Sequence, residues 1–485
     1  MMRVVSFCLL SVFVFLSGCA TFPTSLKQVE AAAPAQRALP IEKWQTDGGA
    51  RVLFVRAPTL PMLDVRVVFD AGSARDGDEP GLARLTSALI GEGAENLSVD
   101  EIARGFEEVG ASFSTGSYRD MAVVELRTLT DAQYFDRASD LFVRTLGTPT
   151  FPKASLERIR NQTLVGLRRE KQVPGPQIQK AFYTALFDQH PYAHDSTGTE
   201  QSLQAISRDD IANFYRTYYS SGNAVIAMTG DLTRAEAEVL AQKISAALPQ
   251  GERAPAIERA DINAGQVQHL DFDSSQTILM LGQQSIWRGH PDYVPLYVGN
   301  QILGGGGFAS ILTEEVREKR GYVYGIGSGF SPMAAAGPFT VQLQTANENA
   351  SDALTLTLQL VRDFIDNGPT PEQLEATRQN LIGNFALTAA ENDEIVGHLG
   401  AIGFYDLPLD YLNQFEQEVR AVTVEQVREA FQRNLDVERL VILSIGPQAP
   451  QVKDTGTGTG TGTGTDTDTD ANVVTDADSE AAEQP

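Results

Sequence analysis

Near its middle the chain reads Asn223-Ala224-Val225-Ile226-Ala227-Met228-Thr229-Gly230, and near its end it reads Arg439-Leu440-Val441-Ile442-Leu443-Ser444-Ile445-Gly446. Each stretch is a short apolar run that ends in glycine, which predicts a buried strand. Each follows a predicted helix that begins at a hydroxyl residue, Ser207 or Thr423, with an acid or amide three positions later. The final glycines are 216 positions apart. This recurrence predicts that the body of the protein is two copies of one module.

Two further pairs of segments support the repeat. The charged amphipathic segment 156–164 matches segment 374–381 at an offset of 218 positions, and the apolar run 65–69 matches 277–281. Offsets this similar indicate a duplicated structural unit.

The length of the body agrees with two modules. Some 400 residues lie between Leu39 and Gly446, more than one hydrophobic core usually serves. We therefore expect α/β-type modules at about 40–250 and 265–448, joined by a linker at 251–264 that contains proline and charged residues.

The first residues have the pattern of an export signal. Arg3 is followed by the apolar run 4–16 and then by Ser17, Gly18 and Cys19. The run is too short for a transmembrane helix, which needs about 20 apolar residues. Its end resembles the lipobox of bacterial lipoproteins. The alternative is a plain signal peptide followed by an incidental cysteine.

The lipobox resemblance implies that residues 1–18 are a signal peptide, that Cys19 is acylated, with palmitate among the acyl chains, and that 19–39 is a linker. Ala20 then implies, by resemblance to the sorting rule of enteric bacteria, a lipid anchor on the periplasmic face of the outer membrane. Cys8 would leave with the signal, so disulfides, a thiol nucleophile and a cysteine-based zinc site are excluded.

The charge and the C-terminal composition exclude other classes of partner and structure. The formal net charge of −25 argues against binding nucleic acid or anionic lipid surfaces. Residues 449–485 consist largely of Thr-Gly and Thr-Asp repeats and acidic residues without aromatics, which predicts a disordered acidic tail.

The segment from Leu303 to Tyr324 contains a glycine-rich run, Gly304 to Gly307, followed by a charged stretch with Arg317. It resembles the C-terminal-half signature of the insulinase (pitrilysin) family of zinc metallopeptidases, in the branch of mitochondrial processing peptidase. Three further segments resemble the same family in order along the chain: Val68–Arg75, Gly81–Ala83, and His190-Pro191-Tyr192 with Gly198-Thr199-Glu200. The resemblance implies an α+β, two-layer fold of two homologous modules, each a mainly antiparallel sheet packed against helices.

The chain departs from the family at the zinc motif. Active members carry an inverted motif, His-x-x-Glu-His, on a helix, and the corresponding positions here are Arg84, Ser87 and Ala88. Arginine and alanine offer no lone pair to a metal. The third family ligand falls near Val165 or Gly166, neither of which binds metal. The resemblance therefore implies a non-catalytic member that binds no metal or cofactor itself, with zinc only in a partner subunit.

The second module keeps the family's substrate-binding residues. Active members use an arginine and a tyrosine seven residues apart to hold the peptide near the zinc, and by resemblance these are Arg317 and Tyr324. Both side chains donate hydrogen bonds that suit a peptide carbonyl. The alternatives are a surface ion pair of Arg317 with an acid such as Glu314, and a core role for Tyr324.

The run Gly304, Gly305, Gly306 and Gly307 has two interpretations. It permits a close approach of the backbone to a peptide or partner, and the corresponding region of mitochondrial processing peptidase contributes to substrate recognition. The alternative is a tight strand-to-helix turn. A phosphate loop is excluded, because no Gly-Lys-Ser/Thr follows.

His190 and His194 are four positions apart, but Pro191 lies between them and predicts that they do not share a regular helix face as two metal ligands. By resemblance, the family places His-Pro-Tyr in a loop without a metal role. His269, His290 and His398 stand alone in the sequence and are read as structural.

The leading hypothesis is a pseudo-peptidase that binds unstructured peptides and positions them for a zinc-bearing partner of the same family, as a heterodimer in the cell envelope. The rival is a stand-alone peptide-binding or scaffold lipoprotein without a proteolytic role. A third interpretation, an active metallopeptidase with a relocated metal site, requires three protein ligands elsewhere in the chain.

Overall fold

The computed structural model describes residues 39–260, 265–385 and 389–452. These residues form two large sheets with helices packed against them. Among them, no helix combines the length and the apolar composition needed to cross a bilayer. The predicted signal peptide, the linker from Cys19 to position 38, and nearly all of the acidic tail lie outside the described residues.

The first sheet is mainly antiparallel. Its strand order is β1-β2-β8-β3-β7-β6, and only β2 and β8 pair in parallel. A short hairpin, β4 with β5, stands apart. The strands of this half are β1 (Glu42–Gln45), β2 (Arg51–Arg56), β3 (Met62–Phe69), β4 (Gly93–Ala94), β5 (Leu97–Ser98), β6 (Ser112–Ser117), β7 (Ala122–Leu129) and β8 (Ala224–Gly230).

One face of this sheet packs against helices of the same half in a large apolar core. The helices of this half are α1 (Leu82–Leu89), α2 (Val99–Glu107), α3 (Ala132–Gly147), α4 (Lys153–Glu170), α5 (Pro174–Phe187), α6 (Glu200–Ala205), α7 (Arg208–Tyr218) and α8 (Arg234–Ala247).

The second sheet has strand order β11-β12-β10-β13-β9, with β13 and β9 in parallel. Its strands are β9 (Val267–Asp271), β10 (Gln276–Gln284), β11 (Val323–Phe330), β12 (Pro338–Ala346) and β13 (Val441–Gly446). The helices of this half are α9 (Tyr293–Asn300), α10 (Ala350–Asn367), α11 (Pro371–Phe385), α12 (Asn392–Phe404), α13 (Tyr411–Ala421) and α14 (Val424–Asn434).

The two sheets have the same topology. The order β2-β8-β3-β7-β6 in the first corresponds to β9-β13-β10-β12-β11 in the second, with the parallel pair at the same place in each. The helices before β8 and β13 both begin with the predicted capping box, at Ser207 and Thr423. The prediction of an α+β fold with two homologous modules is confirmed.

The modules exchange one helix each, which the repeat did not predict. Helix α12 belongs to the second half but packs on β2, β3 and β8 of the first sheet. Glycines on α12 permit this close approach: a Cβ on Gly403 would lie 2.4 Å from Val225 Cγ1 and 2.8 Å from Leu53 Cδ1. In return, α5 of the first half packs on β10 and β13 of the second sheet. Each sheet is therefore covered on its second face by a helix from the other half.

A buried carboxylate also joins the halves. Asp120, in the β6–β7 hairpin, accepts hydrogen bonds from the hydroxyl of Tyr192, from the hydroxyl of Tyr405 at 3.0 Å, and from the backbone N–H of Ala334 at 2.7 Å. The Tyr192 hydroxyl in turn accepts from the N–H of Ala335 at 3.0 Å. Residues that are distant in sequence are thus held by one acid that is 3% exposed.

Candidate functional site

Helix α1, the position of the family's zinc motif, is fixed at its N-terminus by Asp76. The Oδ2 and Oδ1 atoms of Asp76 accept hydrogen bonds from the N–H groups of Gly81 at 2.8 Å and Ala83 at 2.7 Å. Gly81 has φ +95°, a left-handed conformation that favours glycine. The Gly-Leu-Ala segment therefore sets where the helix begins.

The helix presents Arg84 and Ala88 to solvent on one face, as their spacing of four residues requires. Ser87, at the position of the family's catalytic glutamate, is buried. Helix α4 packs beside α1, so the predicted position of a third ligand, at Val165 and Gly166, lies on the neighbouring helix. The two helices lie side by side, but the residues at these positions do not fit a zinc ion, because none of the five carries a ligand atom suited to zinc.

No other metal site was found in the described part of the chain: residues 39–260, 265–385 and 389–452 contain no group of three or more His, Cys, Asp or Glu arranged to hold a metal ion. A relocated catalytic zinc needs at least three protein ligands. The described residues therefore offer no alternative centre.

His190 and His194 lie in the turn after α5, as Pro191 predicts, and both have structural partners. His190 Nδ1 accepts from the N–H of Tyr192 at 3.1 Å, which leaves Nε2 to donate to the carbonyl of Glu258 at 2.8 Å. Burial lowers the pKa of His190. His194 Nε2 lies 2.7 Å from the carbonyl of Ser73. Burial opposes protonation of His194, but the bonds to Asp76 and Ser73 outweigh it and raise its pKa.

The glycine-rich run follows helix α9 and not a strand, so the alternative interpretation, a strand-to-helix turn, is wrong. It spans the end of a π-helical turn, Gln301–Gly305, and the start of a short 3-10 turn, Gly307–Ala309. A Cβ on Gly304 would lie 2.4 Å from Ser328 Oγ, and Gly307 has φ +60°. Close packing on β11 therefore requires glycine at position 304, and the backbone conformation favours glycine at position 307.

Arg317 lies on a second π-helical segment, Thr313–Glu318. Its guanidinium carbon lies 4.9 Å from the centroid of the Phe308 ring, and its Nε lies 3.6 Å from Glu318 Oε1. Arg317 does not form the alternative ion pair with Glu314, because Glu314 pairs with Lys319 at 2.9 Å. Arg317 thus contacts the aromatic residue at the end of the glycine-rich run.

The neighbouring charges are largely balanced among themselves. Glu315 accepts from Lys319 at 2.7 Å and from Arg320 at 2.7 Å, and these two bonds lower its pKa. The 3.6 Å contact of Arg317 with Glu318 is longer than either. Of the three cations Arg317, Lys319 and Arg320, Arg317 therefore makes the longest contact with a neighbouring acid.

Tyr324 is not a core residue, because 61% of it is exposed. It lies at a bulge in β11, where the pairing with β12 passes from Val323 directly to Gly325. A bulge redirects a side chain out of the regular alternation of a strand.

A groove of about 520 Å³ lies beside Tyr324, and its lining contains glycines that the sequence interpretation missed. It is lined by residues of β10, β11 and β12 and of the glycine-rich run, among them Gly304, Gly305, Gly325, Gly327, Gly329, Gln342 and Gln344. A Cβ on Gly325 or Gly329 would meet no atom within 4 Å, so packing does not require glycine at either position. The alternating glycines at 325, 327 and 329 are the sequence signal that could have indicated this groove, since glycines inside a strand often mark the close approach of another backbone.

Two family models match consecutive parts of the chain. Residues 51–200 match the model described as insulinase, peptidase family M16, and residues 205–381 match the model described as the peptidase M16 inactive domain.

Curated relatives match over most of their length. A non-peptidase homolog, YmxG, of Helicobacter pylori is 25% identical over 400 residues, covering 80% of this chain and 90% of the relative. A Bacillus subtilis protein named uncharacterized zinc protease YmxG is 22% identical over 417 residues, covering 84% of this chain and 98% of the relative.

Solved structures match the fold of both halves. The structure described as the peptidase M16 inactive domain from Pseudomonas fluorescens superimposes with a TM-score of 0.83 at 45% identity, covering 85% of this chain and 99% of that chain. A protease from Helicobacter pylori matches with a TM-score of 0.78 at 18% identity, covering 84% and 99%, and this supports the fold alone. The chain belongs to the insulinase family, peptidase family M16.

Proposed function

We propose that this protein is a pseudo-peptidase that binds unstructured peptides through its second module and presents them to a zinc-bearing partner of the same family. The observation that carries the proposal is the contrast between the two modules. The helix that carries the zinc motif in active members here exposes Arg84 and Ala88. In the second module the Arg317 side chain is 39% exposed, and Tyr324 is exposed next to Gly325, which lines the groove. The names of the relatives, a non-peptidase homolog and an inactive domain, support a non-catalytic role.

The chemistry of Arg317 and Tyr324 suits an extended peptide backbone. A guanidinium presents five N–H donors and a phenol presents one O–H donor, and both bond well to carbonyl oxygens. Phe308, stacked against Arg317 and 72% exposed, offers an apolar surface to a side chain of the same peptide. The glycines at 325 and 329 leave room for the peptide backbone next to Tyr324.

The charge of the chain favours a basic peptide. Of the net −25, the tail from Lys453 onward contributes −7, from eight acids and one lysine, so −18 belongs to the rest. A surface with such an excess of acid attracts cationic segments at low ionic strength.

Cys19 provides the proposed location. Acylation there would tether the protein to the periplasmic face of the outer membrane, next to a partner that supplies the His-x-x-Glu-His helix. The catalytic hydroxide belongs to that partner's zinc, and this chain's residues bind and orient the peptide.

Peptide binding by the full chain is the first test. We expect a fluorescent, unstructured, basic peptide of about 20 residues to bind, with Arg317→Ala weakening binding at least tenfold, since a hydrogen bond to a charged group contributes about 1.5–3 kcal/mol. Arg320→Ala is the matched control, because Arg320 lies three residues after Arg317 but pairs with Glu315. Equal losses in both variants, or none in either, would sink the proposal.

The second candidate function is peptide binding without any proteolytic partner. The groove and both side chains lie within one chain, which favours this alternative. Adding the zinc-bearing relative distinguishes the two: loss of proteolysis in Arg317→Ala and Tyr324→Phe supports the subunit, whereas binding with no proteolysis supports the stand-alone binder.

A further inference from the structure

A second cavity, of about 350 Å³, lies among helices α9, α11, α12 and α13. Its walls are mostly apolar and aromatic: Tyr293, Tyr297 and Phe415 contact one another at centroid distances of 5.4 to 6.1 Å, and Phe385 stacks on Phe415 at 5.9 Å. Its volume is at the lower end of the range of about 300–1,000 Å³ for small-molecule sites. The cavity therefore has the size and lining of a pocket for a small apolar body.

One wall carries a cation, Arg288, which enters from the loop between β10 and α9. The guanidinium carbon lies 5.8 Å from the ring centroid of Tyr293 and 5.5 Å from that of Tyr405, and the guanidinium is near enough to Tyr411 to oppose the rise in the pKa of that phenol. Its Nε is buried and has no hydrogen-bond acceptor. Within the described ranges, no ion pair with a carboxylate compensates this half-buried charge.

Two of the acidic groups nearby have partners of their own. Glu416, which also lines the cavity, accepts from Arg420 Nη2 at 2.6 Å and Nε at 3.1 Å. Asp120 lies beyond Tyr405 and accepts the Tyr405 hydroxyl at 3.0 Å. An isolated cation at an apolar cavity is costly unless an anion pairs with it.

The hydroxyl of Tyr411 is a second donor at the same end. Burial raises the pKa of Tyr411, so its phenol keeps its proton at neutral pH and can donate to an anion. A guanidinium and a phenol side by side match the two oxygens of a carboxylate.

We propose that this cavity binds a small amphipathic carboxylate with an unbranched alkyl chain of medium length. The carboxylate pairs with Arg288 and Tyr411, and the chain lies between Phe385, Phe415 and the helices around them. The site is separate from the groove beside Tyr324 and does not depend on the peptide-binding proposal.

The test compares three probes that each carry an eight-carbon chain, by calorimetry: octanoate, 1-octanol and octyltrimethylammonium. The protein is residues 19–485 with Cys19→Ser, so that no detergent is needed. We expect one octanoate per chain, bound at least tenfold tighter than octanol, and weaker binding still of the cation. Equal binding of octanoate and octanol, tighter binding of the cation, or no binding at all overturns the proposal.

Two variants locate the site. Arg288→Gln is expected to reduce octanoate affinity at least tenfold and to leave that of octanol within twofold. Ala401→Leu, which fills the cavity from α12, is expected to abolish binding of both. Retention of octanoate binding in Ala401→Leu, with an unchanged circular dichroism spectrum, places the ligand elsewhere and refutes the proposal. The probe series on the unaltered protein remains decisive if a variant fails to fold.

Discussion

The guanidinium carbon of Arg317 lies 4.9 Å from the centroid of the Phe308 ring. This contact joins the charged segment 313–318 to the end of the glycine-rich run. The ring is mostly exposed, so it can hold the guanidinium in place and still meet a ligand. The proposed peptide site therefore combines an oriented donor, an aromatic surface and an open groove.

Phe308→Leu is expected to weaken binding of the basic peptide about two- to fivefold. A cation–π contact at an exposed site contributes about 0.5–1 kcal/mol, and leucine keeps the apolar area but lacks the ring quadrupole. Fluorescence anisotropy measures the affinity, and the free energy of unfolding should change by less than about 0.5 kcal/mol. In an Arg317→Ala background the same substitution should have almost no effect. An equal effect in both backgrounds contradicts coupling between the two residues.

The absence of a zinc site on helix α1 can be tested by restoring the ligands. The unaltered chain should carry no stoichiometric zinc, and neither EDTA nor added Zn²⁺ should change its Tm. The variant Arg84→His, Ala88→His, Val165→Glu supplies three ligands on adjacent helices, and zinc at 100 times its Kd should stabilise it by about 2.7 kcal/mol. Arg84→His alone is the control, since one ligand is too few. A Tm of the unaltered chain that falls with EDTA contradicts the assignment.

Asp120 should make stability depend on pH in a defined direction. Burial raises the pKa of Asp120 above its ordinary 3.8, and the hydrogen bonds from Tyr192, Ala334 and Tyr405 offset this only in part. Between 3.8 and the raised value the native state holds more protons than the unfolded state, so stability falls as pH rises. Other buried acids titrate too, so the quantity to follow is the stability of the unaltered protein minus that of Asp120→Asn.

The difference in stability between the unaltered protein and Asp120→Asn should decrease as pH rises from 3.8 to the raised pKa of Asp120. Urea unfolding at closely spaced pH values measures it. Adding Tyr405→Phe removes one donor and should extend the decrease to higher pH. A difference that stays flat or increases with pH refutes the role given to Asp120.

The exchanged helices predict that neither half folds alone. Residues 39–260 without α12 would expose Leu53, Val55 and Val225 on one face of the sheet. We expect this fragment to lack a cooperative thermal transition and to regain one when co-expressed with residues 265–485. A cooperative transition of the isolated fragment would show that α12 is dispensable.

A point substitution tests the same interface in the whole chain. Leu399→Ala, on α12, should lower the free energy of unfolding by about 2–5 kcal/mol, because Leu399 is fully buried against the first sheet. Leu409→Ala is the control, since Leu409 is 39% exposed and should change stability little. Similar losses in both variants would contradict the packing described.

The sequence predicted the elements that local rules determine. The capping boxes at Ser207 and Thr423 and the strands at 224–230 and 441–446 were read from hydroxyl caps and apolar runs. The sequence did not predict the helix exchange, because the buried Ile178 and Phe182 of α5 indicate an apolar face without indicating which sheet covers it.

The sequence predicted only those parts of the candidate site that a linear motif contains. The positions 84, 87 and 88 and the pair Arg317 and Tyr324 follow a linear motif, which a sequence displays directly. The contact of Arg317 with Phe308 and the joining of the halves by Asp120 depend on side chains that only the tertiary fold brings together.

The central claim is that this chain works with a zinc-bearing relative. The most direct measurement is to solubilise the native membranes, capture the protein through a tag inserted in its acidic tail, and identify by mass spectrometry what co-purifies in stoichiometric amount. The account predicts a second chain of the same family that contains His-x-x-Glu-His and carries zinc. Recovery of single chains or homodimers alone would contradict it.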